Sequence, residues 1–255
     1  MTNENPSLLL YTPEQFDFSF IVDYGDQILA GLGMTLYLYV TALIIGFFLG
    51  LFLAFVRQYG GRISSRIATG YIELIRATPL LVQLFLFFIL PFGLSRFIES
   101  YGFGPIYSDW RIEFGGVTIL SHTIFMSILT LGLNSAAYQA EYFRGAISSI
   151  GSGQIMAARS IGMSSRDGIR HIILPQSLRR VIPAWSNEAA YLPKYTVVAF
   201  YIGVEELFAK ARFIVSQTFQ ALATYLFIAL IFLVLIAIVS KGLEVIHEKT
   251  SIPGV

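Results

Sequence analysis

The sequence predicts an all-α membrane protein in which five helices cross a bilayer and a structured cytoplasmic loop joins the third to the fourth. Three observations predict it. Of 255 residues, 55% are apolar and only 13% are charged, with a mean hydropathy of +0.68, whereas a soluble domain carries about 25% charged residues. Four long runs contain no Asp, Glu, Lys or Arg. The basic residues fall unevenly between those runs.

The charge-free runs are Gln27–Val56, Ala77–Ser95, Phe114–Ala140 and Phe213–Ser240, of 30, 19, 27 and 28 residues. A crossing needs roughly 20 mostly apolar residues, because a helix rising about 1.5 Å per residue must traverse about 30 Å of hydrocarbon. The fifth crossing is expected over Val181–Val204, a more polar stretch with Asn187, Glu188, Lys194, Pro183 and Pro193, because it separates two polar segments of different character. Counted by alternate sides, one side collects 12 Lys and Arg and the other 4. The basic side is expected to face the cytoplasm, which places the amino terminus outside and the carboxyl terminus inside. Met1–Asp26 is acidic and polar and carries no basic residue, so a cleaved signal peptide is not expected. Residues 1–26 read as an outer tail with a short amphipathic helix near Phe16–Tyr24. Residues 27–241 read as the membrane domain, and residues 242–255 as an inner tail.

Several chemistries are excluded. The chain has no Cys, which removes disulfides, thiolate-held zinc, Fe–S clusters and thiol catalysis. It has no G-x-x-x-x-G-K-[ST] run, so it cannot cradle nucleotide phosphates in a P-loop. Seventeen basic against 16 acidic residues give no case for nucleic acid. Ser121-His122 lacks a third partner for nucleophilic catalysis, and a lone His122 reads as a buried, hydrogen-bonded side chain. No catalytic residue, metal ligand or resident cofactor is read.

The informative segment is the cytoplasmic loop, about residues 141–180, with six Arg against Glu141 and Asp167. Gly151 and Gly153 precede Gln154–Ile161, and Gly162 follows it in the place of a left-handed C-terminal cap. Ser164-Ser165-Arg166-Asp167 reads as a capping box opening a second helix, which Pro175 is expected to stop or kink. Arg96–Glu113, rich in Gly and Tyr, reads as an outer loop. Physically, two short helices on a basic loop fit equally a knob that docks into a partner or a helix lying on the anionic inner leaflet.

The run from Ala137 to Pro183, AYQAEYFRGAISSIGSGQIMAARSIGMSSRDGIRHIILPQSLRRVIP, resembles the cytoplasmic signature of permease subunits of bacterial and archaeal ABC importers, in the polar amino-acid (histidine/glutamine-type) branch. That signature reads E-A-A, three residues, G, nine residues, I, one residue, L-P. Ala157, Ala158, Gly162, Ile172, Leu174 and Pro175 match it; Met156 stands where the family has Glu. FDFSFIVDY, GLGMTLYL, YIELIRATPLLVQL and NEAAYLPKYTVVAFYIGVEEL follow the family's order as well, with Pro193 in place of the usual Leu. The resemblance spans roughly residues 16–241 and implies a type I, MetI-like permease with one ABC transmembrane type-1 domain at 27–241.

The resemblance further implies a pair of ATP-binding subunits carrying ATP and magnesium, a second permease, identical or homologous, and an extracytoplasmic amino-acid-binding protein. The helix near Gly153–Gly162 would be the coupling helix, with Gln154, Met156, Ala157, Ala158, Arg159 and Gly162 meeting the ATPase. Small residues let that helix seat closely. Met156 is expected to pack on an apolar patch of its own ATPase.

For the solute path the candidates are Asn134, Asn187, Glu188 and Lys194, because polar side chains inside a span are costly and tend to mark pathways. A zwitterionic solute needs an anion for its ammonium and a cation for its carboxylate. The competing role is a set of hydrogen bonds tying spans together. Ala42, Gly46, Gly50 and Ala54 recur every four residues and let another helix approach closely; whether that helix belongs to this chain or a second copy stays open. The competing functions are a stand-alone channel or secondary carrier and a membrane-embedded enzyme.

Overall fold

The computed structural model describes residues 18–250, except residues 103, 106, 108 and 151. In chain order the elements are α1 (Phe20–Asp23), α2 (Gly25–Tyr59), α3 (Arg62–Ala77), α4 (Leu80–Glu99), β1 (Arg111–Phe114), β2 (Val117–Ser121), α5 (His122–Ser148), α6 (Ser152–Ser160) and α7 (Ser165–Gly168). A π-turn (Ile169–Ile173) leads into α8 (Leu174–Arg180). Then come α9 (Ile182–Tyr195), a 3₁₀ segment (Thr196–Ile202), α10 (Leu207–Thr218) and α11 (Ala221–Thr250). Among the described residues, α2, α4 and α11 are long and apolar enough to cross a membrane. The chain is a largely helical, multi-pass membrane protein.

The α2–α5 seam organises the rest. The four small residues of α2 are all buried, and the helix they admit is α5 of the same chain. Gly46 lies against Ser135 and Gln139, and Gly50 against the backbone of Ala136 and Ala140. Small side chains let the two backbones approach, which is how helices gain packing energy where water supplies no driving force. Around this seam α3 packs through Ala68, Ile72 and Ile75, α4 through Leu84 and α9 through Leu192. The Tyr71 hydroxyl donates to the Leu133 carbonyl at 2.8 Å. Gln83 gathers the bend between α3 and α4: its amide donates to the carbonyls of Ile75 (2.7 Å) and Thr78 (3.0 Å). Those carbonyls lack helical partners because Pro79 follows.

The connection from α4 to α5 differs from expectation. Arg96–Glu113 is not one loop: α4 continues to Glu99, and β1 begins at Arg111. The charge-free run from Phe114 is not one helix either. Its first residues complete an antiparallel hairpin with β2, and α5 starts only at His122. Gly115 and Gly116, with φ of 58° and 79°, form the two-residue turn, as a type I′ hairpin requires. Ser121 caps α5 by accepting from the Ile124 amide. His122 is buried in a box of Phe88, Phe92 and Tyr107, with its Nε2 3.4 Å from the Phe88 carbonyl.

Three further readings need adjustment. Of the helix near Phe16–Tyr24, Phe20–Asp23 is helical, and residues 16 and 17 lie outside the described residues. Pro175 does not stop the helix; the turn before it widens, with the Leu174 amide reaching the Ile169 carbonyl. That i→i+5 spacing makes room for a ring that cannot donate. Past Pro193, α9 stays helical to Tyr195 and then tightens into the 3₁₀ segment. At the other end, α11 runs unbroken past Lys241 to Thr250.

Candidate functional site

Two regions hold the residues that the sequence singles out. The first is a knob, α6 to α8. Gly162 has φ +87°, the Met163 amide donates to the Ala158 carbonyl at 3.0 Å, and the Gly162 amide donates to the Arg159 carbonyl at 2.9 Å. This pair of bonds is a Schellman cap. Ser164 then opens α7: its Oγ accepts from the Asp167 amide (3.2 Å) and donates to the Asp167 carboxylate (2.6 Å). The two caps fold the chain back on itself. Gly168 lets α7 lie against Ile155 and Ala158 of α6, with neighbours at 3.4 and 3.5 Å from where a Cβ would stand.

The knob is bolted to the bundle. Ile150, Ile173 and Val181 join Ala54 and Phe143 in one buried cluster, and Arg180 Nη1 donates to the Ser149 carbonyl at 2.9 Å. Of the expected coupling residues, Ala158 is buried and holds α6 down, while Gln154, Met156, Ala157, Arg159 and Gly162 are exposed. The structure therefore gathers them on one small rigid body.

A charge cluster lies toward the C-terminal end of α5, which leads into the knob. Glu141 pairs with Arg57 of α2, accepts two bonds from Arg144 at 2.7 and 3.0 Å, and lies 3.9 Å from Arg76 of α3. Burial alone would raise the Glu141 carboxyl. The Arg144 bond and the charges of Arg144, Arg57 and Arg76 outweigh it and hold the group below its ordinary value of 4.5. Because the folded value is the lower one, the carboxylate's stabilisation is present in full above about pH 4.5. It is lost as pH falls from there through the folded value. The melting temperature in detergent is therefore expected to hold steady from neutral pH to about pH 5 and to fall below that. Glu141→Gln should lower the neutral-pH melting temperature and flatten its acid limb. An unchanged acid limb in that variant would show that other carboxylates carry it.

The second region is α9. Its residues divide between two faces. Asn187, Tyr191 and Lys194, spaced i, i+4 and i+7, share one exposed face, and Lys194 Nζ lies 4.5 Å from the Tyr191 ring centroid. Lys194 also edges an open groove of about 490 Å³ formed with Val197 of the 3₁₀ segment and Ala229, Phe232, Leu233 and Ile236 of α11. Glu188 points the other way and is buried against α5, where it accepts from Ser135 Oγ at 2.6 Å. Asn134 is buried and donates to Gln83 Oε1 at 3.0 Å. Glu188 and Lys194 are thus not brought together.

The sequence reading missed the side chains that join Glu188 to the bundle. Gln139 donates to Ser135 Oγ at 2.9 Å, and its carbonyl accepts from Trp185 Nε1 at 2.6 Å. The signal was there: Ser135 and Gln139 are four apart in a charge-free run and so share a helix face.

Comparison with known proteins fits this geometry. Residues 46–251 match the binding-protein-dependent transport system inner membrane component family. The nopaline transport system permease protein of Agrobacterium fabrum is 34% identical, over 88% of this chain and 88% of that one. The glutamine transport system permease protein of Escherichia coli is 32% identical, over 93% and 99%. Among solved structures, an amino acid ABC transporter with histidines superposes with TM-score 0.73 at 32% identity, covering 91% of this chain and 98% of that one. The MetNI methionine ABC transporter shares the fold, with TM-score 0.68 at 17% identity, covering 90% and 99%. A long helical bundle with a capped knob and a family match across most of its length lead to one assignment: the chain belongs to the binding-protein-dependent transport system inner membrane components, as a membrane-spanning permease subunit of an ABC importer.

Proposed function

We propose that the chain is half of the membrane pore of an importer for a polar amino acid. A pair of ATP-binding subunits holding ATP and magnesium drives it, and an extracytoplasmic binding protein loads it. The relatives named for glutamine and nopaline transport support the solute class. The second half of the pore is another permease, identical or homologous, since five helices are few for an alternating-access path and such folds pair two halves around a central site.

The five crossings are α2, α4, α5, α11 and the pair of α9 with the 3₁₀ segment. That pair is short by composition but not by length: 14 residues at about 1.5 Å and seven at about 2.0 Å span roughly 35 Å. The excess of Arg and Lys around α3 and the knob sets these on the cytoplasmic side. On the solute path, the exposed Asn187–Tyr191–Lys194 face meets water or solute, because an ammonium facing hydrocarbon near mid-bilayer is costly. Lys194 takes the solute carboxylate, and Asn187 offers a neutral donor and acceptor. Glu188 and Asn134 set the spacing of α9 and α4 against α5.

The observation that carries the mechanism is the rigidity of α6. Its C-terminal end is capped at Gly162, one face is buried against α7, and its far anchor reaches α2 and α5 through Ile173 and Val181. A push on α6 is therefore delivered to the seam helices rather than absorbed in a loop. The test is uptake of a radiolabelled polar amino acid into liposomes. Uptake is expected only with permease, ATP-binding subunits, binding protein and ATP together; flux with the permease alone would favour a channel or carrier. Gly162→Val should lower ATP-driven uptake at least about fivefold, since a β-branched residue resists positive φ by about 1–2 kcal/mol. Full coupling in that variant would remove α6 from the mechanism.

A further inference from the structure

We propose that the ATP-binding subunit meets the knob with an apolar surface that inserts a side chain into the groove between α6 and the inner end of α2, and that acidic residues line its rim. This rests on the reading of α6 as the coupling element and adds the chemistry of what it couples to.

Among polar neighbours, α6 and the residue that follows it expose two large apolar side chains. Met156 and Ile161 are 59% and 78% accessible, and Ala157 and Ser160 lie exposed between them. Single exposed apolar residues are ordinary, but Met156 also lines a groove of about 470 Å³ in which Tyr59, Ile150, Ile155 and Ile173 stand with Gln58 and Ser148. A concave groove with an apolar floor and a few polar groups, beside exposed apolar side chains, is the shape of a protein interface. One large outward side chain on a nine-residue helix and one just past its end are too few to hold a bilayer surface, which needs a long apolar face.

The charges narrow the partner further. No carboxylate stands on the outward face of α6. Asp167, in α7 of the same knob, is already engaged by Ser164. Arg159 edges the groove, and Arg166 of α7 and Arg170 of the π-turn are exposed on the same knob. A partner that put an Arg or Lys against Met156 would leave that charge desolvated and unpaired, which is costly. A partner with acidic residues at the rim gains complementary charge at little desolvation cost. Met156 suits the centre of such a contact, because its unbranched thioether fills an irregular apolar surface.

The experiment co-expresses tagged permease with its own ATP-binding subunit, solubilises the membranes and measures ATP-binding subunit retained per permease across a salt series. Met156→Glu is expected to lower retention by about tenfold or more, from a carboxylate buried without a partner, and Met156→Leu by less than about twofold. Arg159→Glu should weaken retention most at low salt, where the rim attraction is least screened. Monodisperse gel filtration of each variant shows that the permease has folded. Retention of Met156→Glu at the wild-type level, or tighter at low salt, would overturn the inference, because a basic residue or no contact would then face this position. Unchanged retention with weaker binding of the full-length Met156→Glu permease to anionic liposomes would assign the ridge to the leaflet instead. Wild-type permease that folds but retains no ATP-binding subunit would overturn the coupling reading beneath it.

Discussion

Gly50→Leu is expected to abolish accumulation of folded permease. A Cβ at this position would lie 2.9 Å from the Ala136 carbonyl, 2.9 Å from Gln139 Cβ and 3.1 Å from the Ala140 amide. Two of these three neighbours are backbone of α5, so no rotamer change relieves the clash. Even Gly50→Ala should cost about 1–3 kcal/mol, as overpacking of a close seam does. Leucine adds three more carbons to the same space and forces α2 away from α5. Because α3, α4 and α9 all pack against this pair, the loss spreads through the bundle. The control is Gly33→Ala on the same helix, where nothing lies within 4 Å of the added carbon; there the change should be neutral or stabilising by up to about 1 kcal/mol from helix propensity. Fluorescence-detected gel filtration and detergent melting of the three variants separate these outcomes. A monodisperse, wild-type-like Gly50→Leu would mean that the seam is not the organising contact.

What was legible in the sequence divides by the range of the physics involved. Absence of charge over 19 or more residues is a property of composition, and α2, α4 and α11 follow from it directly. The caps at Gly162 and Ser164 were legible because they depend on one residue and its near neighbours. The hairpin was not, because Phe114–Ser121 carries no charge and a scan for charge joined it to α5. The adjacent glycines at 115 and 116 were the cue that a turn divides that run. The response to Pro175 and Pro193 was not legible. A proline deletes a donor wherever it falls, but whether the chain stops, widens to a π-turn or tightens to a 3₁₀ turn depends on what the neighbouring helices hold in place. At the candidate site the polar residues of α9 could be picked out one by one. Their division between a buried face at Glu188 and an exposed face at Lys194 needed the position of α5.

Gln139→Leu is expected to destabilise the bundle by about 2–3 kcal/mol while conserving volume, because Gln139 joins three helices through polar atoms that have no water to turn to. Its amide nitrogen donates to Ser135 Oγ at 2.9 Å and lies 3.4 Å from the Leu43 carbonyl of α2, and its oxygen accepts from Trp185 Nε1 of α9 at 2.6 Å. Leucine leaves the indole N–H without its acceptor and removes the bond that orients Ser135 toward Glu188. Trp185 itself is held edge-on by Phe47 at 5.9 Å, so it cannot readily turn to a new partner. Trp185→Phe removes the same donor from the other side. If the bond is the link, the double variant should lose about 1 kcal/mol less than the sum of the singles, the coupling that a double-mutant cycle isolates. Strict additivity would show that the two side chains act only by filling space. Uptake measured on the same variants carries the argument to function. Gln139→Leu should slow transport beyond its effect on the amount of folded protein, because Glu188 loses the ordered hydroxyl that fixes α9 against α5. An Asn187→Ala variant, on the opposite face of α9, should slow transport with no change in melting temperature.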